Sequence, residues 1–332
     1  MRIALVTPAG PGTRNGNRHT ALRWAAFLRA AGHTVGISVQ WSPEQAADAM
    51  LALHARRSHA SIRAFPGGGR LVVALTGTDV YRDIHESAEA RESLELAQRL
   101  IVLQPRAAEE LPSRLRRKVR VVIQSSGTKL RHAPVTRKFR VCVIGHLRAE
   151  KDPMRTLAAL SHLPEQNIEV VHLGEPLDAT LESEARAAMA REPRYRWLGS
   201  VPHARALRWL ASSHAMVISS RVEGGANVVC EALRIGVPVL ASRISGNVGL
   251  LGPGYGGYFA LEDERALARL ITRAASDSGF YRRLQVQVRR LRPMVTPQAE
   301  ARALLGVIAR PGLPRRNAAA PRAAPRAGRR SA

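Results

Sequence analysis

The chain has 332 residues, with 51 Lys and Arg against 26 Asp and Glu, and a formal net charge of +25. A hydrophobic content of 45% excludes a disordered chain, and the length suits two domains of roughly 150 residues each. Aromatic residues make up 4%, too few for a base-stacking platform, and only Lys118, Lys129, Lys138 and Lys151 are lysines. The charge therefore reads as an arginine bias spread over the whole surface, and argues against a nucleic-acid partner.

The elements follow in chain order. The opening MRIALVTPAG reads as a strand over 3–7, too short for a signal peptide. A Gly-rich loop, AGPGTRNGN, leads into a helix over 20–31. Strands follow at 34–39, 71–75, 99–102 and 119–123, with a helix at 88–96. The polar stretch RHAPVTRK reads as a linker, after which the pattern restarts. Strands at 140–144, 169–173, 196–198, 215–219 and 238–241 alternate with helices at 153–160, 181–191, 204–211 and 226–235. Apolar strands separated by helices predict parallel sheets covered on both faces. The expected organisation is an N-terminal Rossmann-like domain over 1–134 and a second over 138–310. A Pro/Ala/Arg-rich disordered tail, with six arginines and no acid, is expected over 311–332. Cys142 and Cys230 form neither a metal pattern nor a disulfide framework, and no run approaches the ~20 apolar residues of a membrane span. A soluble cytoplasmic protein without membrane contact is expected.

Two segments carry the chemistry. In SSRVEGGANVVCEALRIGVPVLA a strand runs through a Gly-containing loop into a helix that Gly236 ends. Gly224 and Gly225 leave the helix-start N–H groups open to a diphosphate. Glu223 precedes the turn, and Glu231, eight residues on, can accept two hydrogen bonds from a vicinal diol. In VIGHLRAEKDPMRTL, Gly145 opens a loop at a strand end, with Arg148 and Lys151 just before a helix. Arg offers a planar fork and Lys a point charge to a diphosphate.

Together, the stretch Gly145–Lys151 and the pair Glu223 and Glu231 resemble the nucleotide-sugar glycosyltransferases of the GT-B fold, family 4. The resemblance implies two doubly wound α/β domains facing across a cleft. It implies donor-diphosphate roles for Arg148 and Lys151, sugar and phosphate contacts from Glu223, Gly224, Gly225, Ala226, Asn227 and Val228, and a ribose role for Glu231. It places Gly145, Arg196, Trp197 and Leu198 around the nucleotide, and Gly12, Gly16 and Asn17 opposite the donor phosphates. TGTD, beginning at Thr76, resembles a family motif that usually starts with His.

Within that family, NGNRHTALRWA, LTGTDVYRDI, GHLRAEKDP, PRYRWLGSVPHARAL and the Glu-bearing segment resemble a selenosugar-forming branch. Its members join selenophosphate to a sugar from a UDP-sugar, notably UDP-N-acetylglucosamine. The resemblance implies a UDP-sugar and selenophosphate as substrates, no cofactor and no metal. No Asp-x-Asp stands at a strand end, so Arg148 and Lys151, with Glu223 beside them, are expected to serve catalysis by stabilising the departing diphosphate. Candidates for holding an anionic acceptor are Arg14, Arg18, Thr78, Asp79, Arg82 and Lys129. A family 4 transferase with an oxygen acceptor, such as a phosphorylated sugar or inositol, is the alternative; a basic nucleic-acid-binding protein is a minor one.

Overall fold

The computed structural model describes residues 1–13, 15–66, 70–163 and 167–309; Arg14 and the expected tail over 311–332 lie outside these residues. The chain builds two six-stranded sheets whose strand pairs are all parallel.

The first sheet has strands β1 (Arg2–Val6), β2 (Thr34–Ser38), β3 (Ala49–Leu53), β4 (Arg70–Leu75), β5 (Arg99–Val102) and β6 (Val119–Val121), in the order β2-β1-β3-β4-β5-β6. Helices α1 (Gly16–Ala30), α2 (His59–Ala64), α3 (Ile84–Glu86), α4 (Ala88–Leu96) and α5 (Ser113–Arg116) connect them. The second sheet has β7 (Phe139–Ile144), β8 (Ile168–Leu173), β9 (Tyr195–Trp197), β10 (Ala215–Ile218), β11 (Val239–Ser242) and β12 (Tyr258–Phe259), in the order β12-β11-β10-β7-β8-β9. Its helices are α6 (Arg155–Leu160), α7 (Ala179–Arg191), α8 (His203–Ala211), α9 (Asn227–Ile235), α10 (Ser245–Leu251), α11 (Glu264–Ser276) and α12 (Ser278–Leu291), and α13 (Pro297–Ile308) closes the described chain.

Local chemistry sets most of these boundaries. The Asn15 side chain caps α1 by accepting from Arg18 N–H at 3.0 Å, and Asp178 caps α7. Gly236, at φ 104°, supplies the left-handed residue that ends α9. One central strand escapes the sequence pattern. β3 reads AMLAL, with no β-branched residue, yet all five residues are buried between β1 and β4. Burial on both faces of the sheet outweighs weak strand propensity here. The segment after β4 is also unexpected: Asp79–Asp83 forms a π-helical turn, a form that recurs at functional sites.

The cores divide along the sheets, with one exception. Leu304, Val307 and Ile308 of α13 pack with Ile3, Leu5, Trp24 and Leu28. A helix within the 138–310 stretch thus returns to complete the N-terminal core. Among the described residues no helix is long and apolar enough to cross a membrane.

Candidate active site

The carboxyl ends of β7, β8 and β10 lie side by side, through the register Val143↔His172 and Val143↔Val217. In open parallel sheets this is where ligands bind. After β7 the chain passes Gly145 and a 3₁₀ turn, Ala149–Lys151, and bends at Asp152, a non-glycine residue at φ 45°. That bend brings Lys151 to the loop after β10. Its Nζ donates to Glu223 Oε1 at 2.5 Å, and Ser220 Oγ donates to the same oxygen at 2.6 Å. The Glu223 side chain is 8% exposed and that of Lys151 21%, so the pair is largely desolvated. Two candidates far apart in the sequence thus meet. Arg148 stands exposed on the same loop; its carbonyl accepts from Lys151 N–H at 3.0 Å, and its guanidinium has no hydrogen-bond or ion-pair partner among the described residues.

The glycines of the loop are required by close approach. A Cβ at Gly224 would lie 2.5 Å from the Thr76 carbonyl carbon and oxygen; one at Gly225 would lie 2.4 Å from Leu103 Cβ. Gly246 passes equally close beneath, 2.0 Å from the Glu223 carbonyl oxygen by the same measure. The loop is thereby pressed against the TGTD segment of the opposite domain. No side chain caps α9, whose N-cap is the buried Ala226, so its first N–H groups remain available to an anion. Val228 is half-buried in its first turn.

Asn227 and Glu231, one turn apart, share a face of α9. Arg23 of α1 donates to Asn227 Oδ1 at 3.2 Å. His203 Nε2 meets Glu231 Oε1 at 2.7 Å, and the His19 ring stands 5.8 Å from that of His203. The bond to Glu231 raises the His203 pKa, whereas burial and then His203 itself lower that of His19. Gly16 also faces Asn227: a Cβ there would lie 3.5 Å from Nδ2. Asn17 and Arg18 follow in the first turn of α1, and Gly12, at φ 84°, turns the loop before it.

A second set of buried groups fixes the Gly145 loop from below. His172 Nε2 meets the Gly145 carbonyl at 3.1 Å and Nδ1 meets Tyr195 Oη at 2.8 Å. The carbonyl can only accept, which assigns the proton to Nε2, so Nδ1 accepts from the tyrosine. Burial pushes the His172 pKa down to about 4, keeping the ring neutral. Trp197 Nε1 donates to the Gly174 carbonyl at 3.0 Å, with Leu198 beside it. Arg196 goes elsewhere. Its guanidinium bonds Glu169 at 3.2 Å and lies over the Trp209 ring, toward the amino end of β8 and away from Lys151. Side chains alternate across a strand, so the residue between Tyr195 and Trp197 faces the other way.

The acceptor candidates divide. Asp79 is fully buried, and its carboxylate accepts from the N–H groups of Thr76, Gly77 and Ala55 at 2.9, 2.7 and 3.1 Å. It builds the TGTD turn. Arg82, half exposed, pairs with the buried Asp83 at 3.3 Å. Lys129 is exposed on the connection between β6 and β7, and Arg14 lies outside the described residues.

Thr78 has a partner that the sequence reading missed. His54 Nε2 lies 3.2 Å from Thr78 Oγ1 and 3.8 Å from Asp83 Oδ2, with Arg56 3.6 Å from Asp83. His54 directly follows β3, at φ 75°, a costly conformation for a residue with a Cβ. Its one sequence signal is its position after the apolar run AMLAL, which lacks β-branched residues. Glu300 and Arg23, joined at 2.8 Å across 277 residues, gave no local signal.

Residues 127–290 match the family described as glycosyl transferases group 1. The matched stretch spans the second sheet, so the C-terminal domain is similar to group 1 glycosyl transferases. Solved GT-B glycosyltransferases align over 92% or more of the chain, which establishes the fold. Anabaena HepE, in complex with UDP and glucose, aligns over 93% of this chain and 99% of its own, with a TM-score of 0.74 at 15% identity. Sucrose-phosphate synthase from Thermosynechococcus elongatus aligns over 92% and 98%, with a TM-score of 0.71 at 18% identity. The lipopolysaccharide outer core galactosyltransferase WaaB aligns over 93% and 99%, with a TM-score of 0.64 at 13% identity. The match begins within the connection before β7 and ends in α12, so it contains Lys151, Glu223 and Glu231.

Proposed function

We propose that the protein transfers a sugar from a UDP-sugar, UDP-N-acetylglucosamine, to selenophosphate, forming a selenosugar. The observation that carries the donor half is the desolvated Lys151–Glu223 pair beside the uncapped start of α9. HepE, solved with UDP-glucose, shares the fold and supports a UDP-sugar as donor.

In this reading the bond between the anomeric carbon and the diphosphate oxygen breaks, and the leaving UDP gathers negative charge. Lys151, Arg148 and the α9 N–H groups stabilise that charge without a metal, and Glu223 holds the Lys151 ammonium in place. The selenium lone pair forms the new bond to the anomeric carbon. Water then cleaves the phosphorus–selenium bond, releasing phosphate and the selenosugar.

The acceptor side supports a nucleophile that arrives already anionic. Asp79 is fully buried and bound by three backbone donors, and Asp83 is engaged by Arg82, Arg56 and His54. The Arg57 N–H lies 3.3 Å from His54 Nδ1, which assigns the His54 proton to Nε2, and burial lowers the pKa of the ring. None of the three is a free base for an alcohol, whereas Arg56 and Arg82 offer cations. The test is incubation with UDP-N-acetylglucosamine and selenophosphate, read by mass spectrometry. A sugar carrying the selenium isotope pattern is expected. UDP release with an oxygen acceptor and no selenium product would refute the acceptor.

A further inference from the structure

We infer that His203 is a positioning residue for nucleotide recognition: it holds the Glu231 carboxylate in the orientation that accepts both ribose hydroxyls. The inference deepens the donor reading above and rests on it.

A glutamate on a helix surface samples several rotamers, so a bidentate grip on a vicinal diol loses affinity unless something fixes the carboxylate plane. Glu231 is fixed from outside its own helix. His203, first residue of α8, places Nε2 2.7 Å from Oε1, a charge-assisted geometry when the ring is protonated. The Glu231 side chain is 13% exposed while His203 is 56% exposed, so the carboxylate sits in the wall and the imidazole reaches in from the rim. Oε1 keeps one lone pair beyond the His203 bond and Oε2 has no partner among the described residues, which leaves room for two hydroxyl donors.

His203 is itself confined. Its ring faces His19, on the first helix of the opposite domain, at 5.8 Å with the planes 35° apart. Asn227, one turn before Glu231, is held on the same flank by Arg23. The nucleotide-facing side of α9 is therefore braced at two successive turns by side chains from other elements.

The experiment measures UDP and 2′-deoxy-UDP binding by calorimetry in the full chain. Wild type is expected to prefer UDP by about tenfold, the worth of one good hydrogen bond to a charged group. His203→Ala should weaken UDP by about tenfold and bring the ratio of the two affinities toward one. His203→Gln, whose amide N–H can reach the same oxygen, should restore most of the preference. A His203→Ala protein that keeps the full preference overturns the inference while leaving the donor reading intact. Absence of UDP binding in wild type overturns the donor reading, and this inference with it.

Discussion

Glu300 offers the sharpest test of how the two ends of the chain are joined. Its carboxylate is fully buried on α13 and accepts four hydrogen bonds: from Arg23 Nε at 2.8 Å, Arg23 NH2 at 3.1 Å, Trp24 Nε1 at 2.6 Å and Ser125 Oγ at 2.5 Å. Glu300→Gln keeps the shape but replaces one acceptor oxygen by a donor and removes the charge opposite Arg23. Breaking a buried pair from one side costs about 3–5 kcal/mol. Arg23 remains 19% exposed and can recover some hydration, so about 3 kcal/mol is expected for the substitution. Urea unfolding followed by tryptophan fluorescence measures it. The cycle with Arg23→Met should give a coupling of about 2 kcal/mol between the two sites. An unchanged unfolding midpoint for Glu300→Gln, or additive single effects, would refute the idea that this carboxylate ties α13 to α1.

Three further outcomes are expected. Lys151→Met should lower kcat by about a hundredfold or more, as removal of a charge-stabilising group does, and added divalent metal should not restore it; unaltered turnover would remove Lys151 from the site. Gly224→Ala should abolish activity while both domains stay folded by circular dichroism, because its Cβ would lie 2.5 Å from Thr76 backbone atoms; an active variant would show that the loop need not meet the TGTD segment. His172 titrates near 4 in the folded protein against about 6.5 unfolded, so its stabilising contribution is full above 6.5 and is lost as the pH falls toward 4. That is about 3 kcal/mol, and His172→Asn should flatten the dependence of unfolding free energy on pH in that window; an equally steep profile in the variant would reassign the titration.

The architecture is legible in the sequence, and so are the two segments that meet at Lys151 and Glu223, for a local reason. Gly224, Gly225 and Glu223 stand within one strand–loop–helix segment, and Lys151 in another, so spacing reveals them. β3 was hidden because Ala, Met and Leu fit a helix as well as a strand, and only central burial decides between them. His54 was lost along with β3. Asp79 is polar by type after Gly-Thr, and that three backbone donors hold it is a tertiary fact. Arg196 was placed by its motif, but strand alternation sends its guanidinium to Glu169. The braces on Asn227 and Glu231 come from α1 and α8, too distant in sequence for any pattern to connect.

The returning helix α13 also bears on how the chain is made. Synthesis delivers β1 and α1 first, but Leu304, Val307 and Ile308, which cover them, come some 300 residues later. Until then the apolar flank formed by Trp24, Leu28 and their neighbours has no cover, and the second core itself waits for Leu284, Val288 and Val295. The half of the molecule that is translated first thus cannot complete its core before the other half has been made. A chain interrupted before Pro297 would expose that flank, and Arg23 would lack its counter-charge.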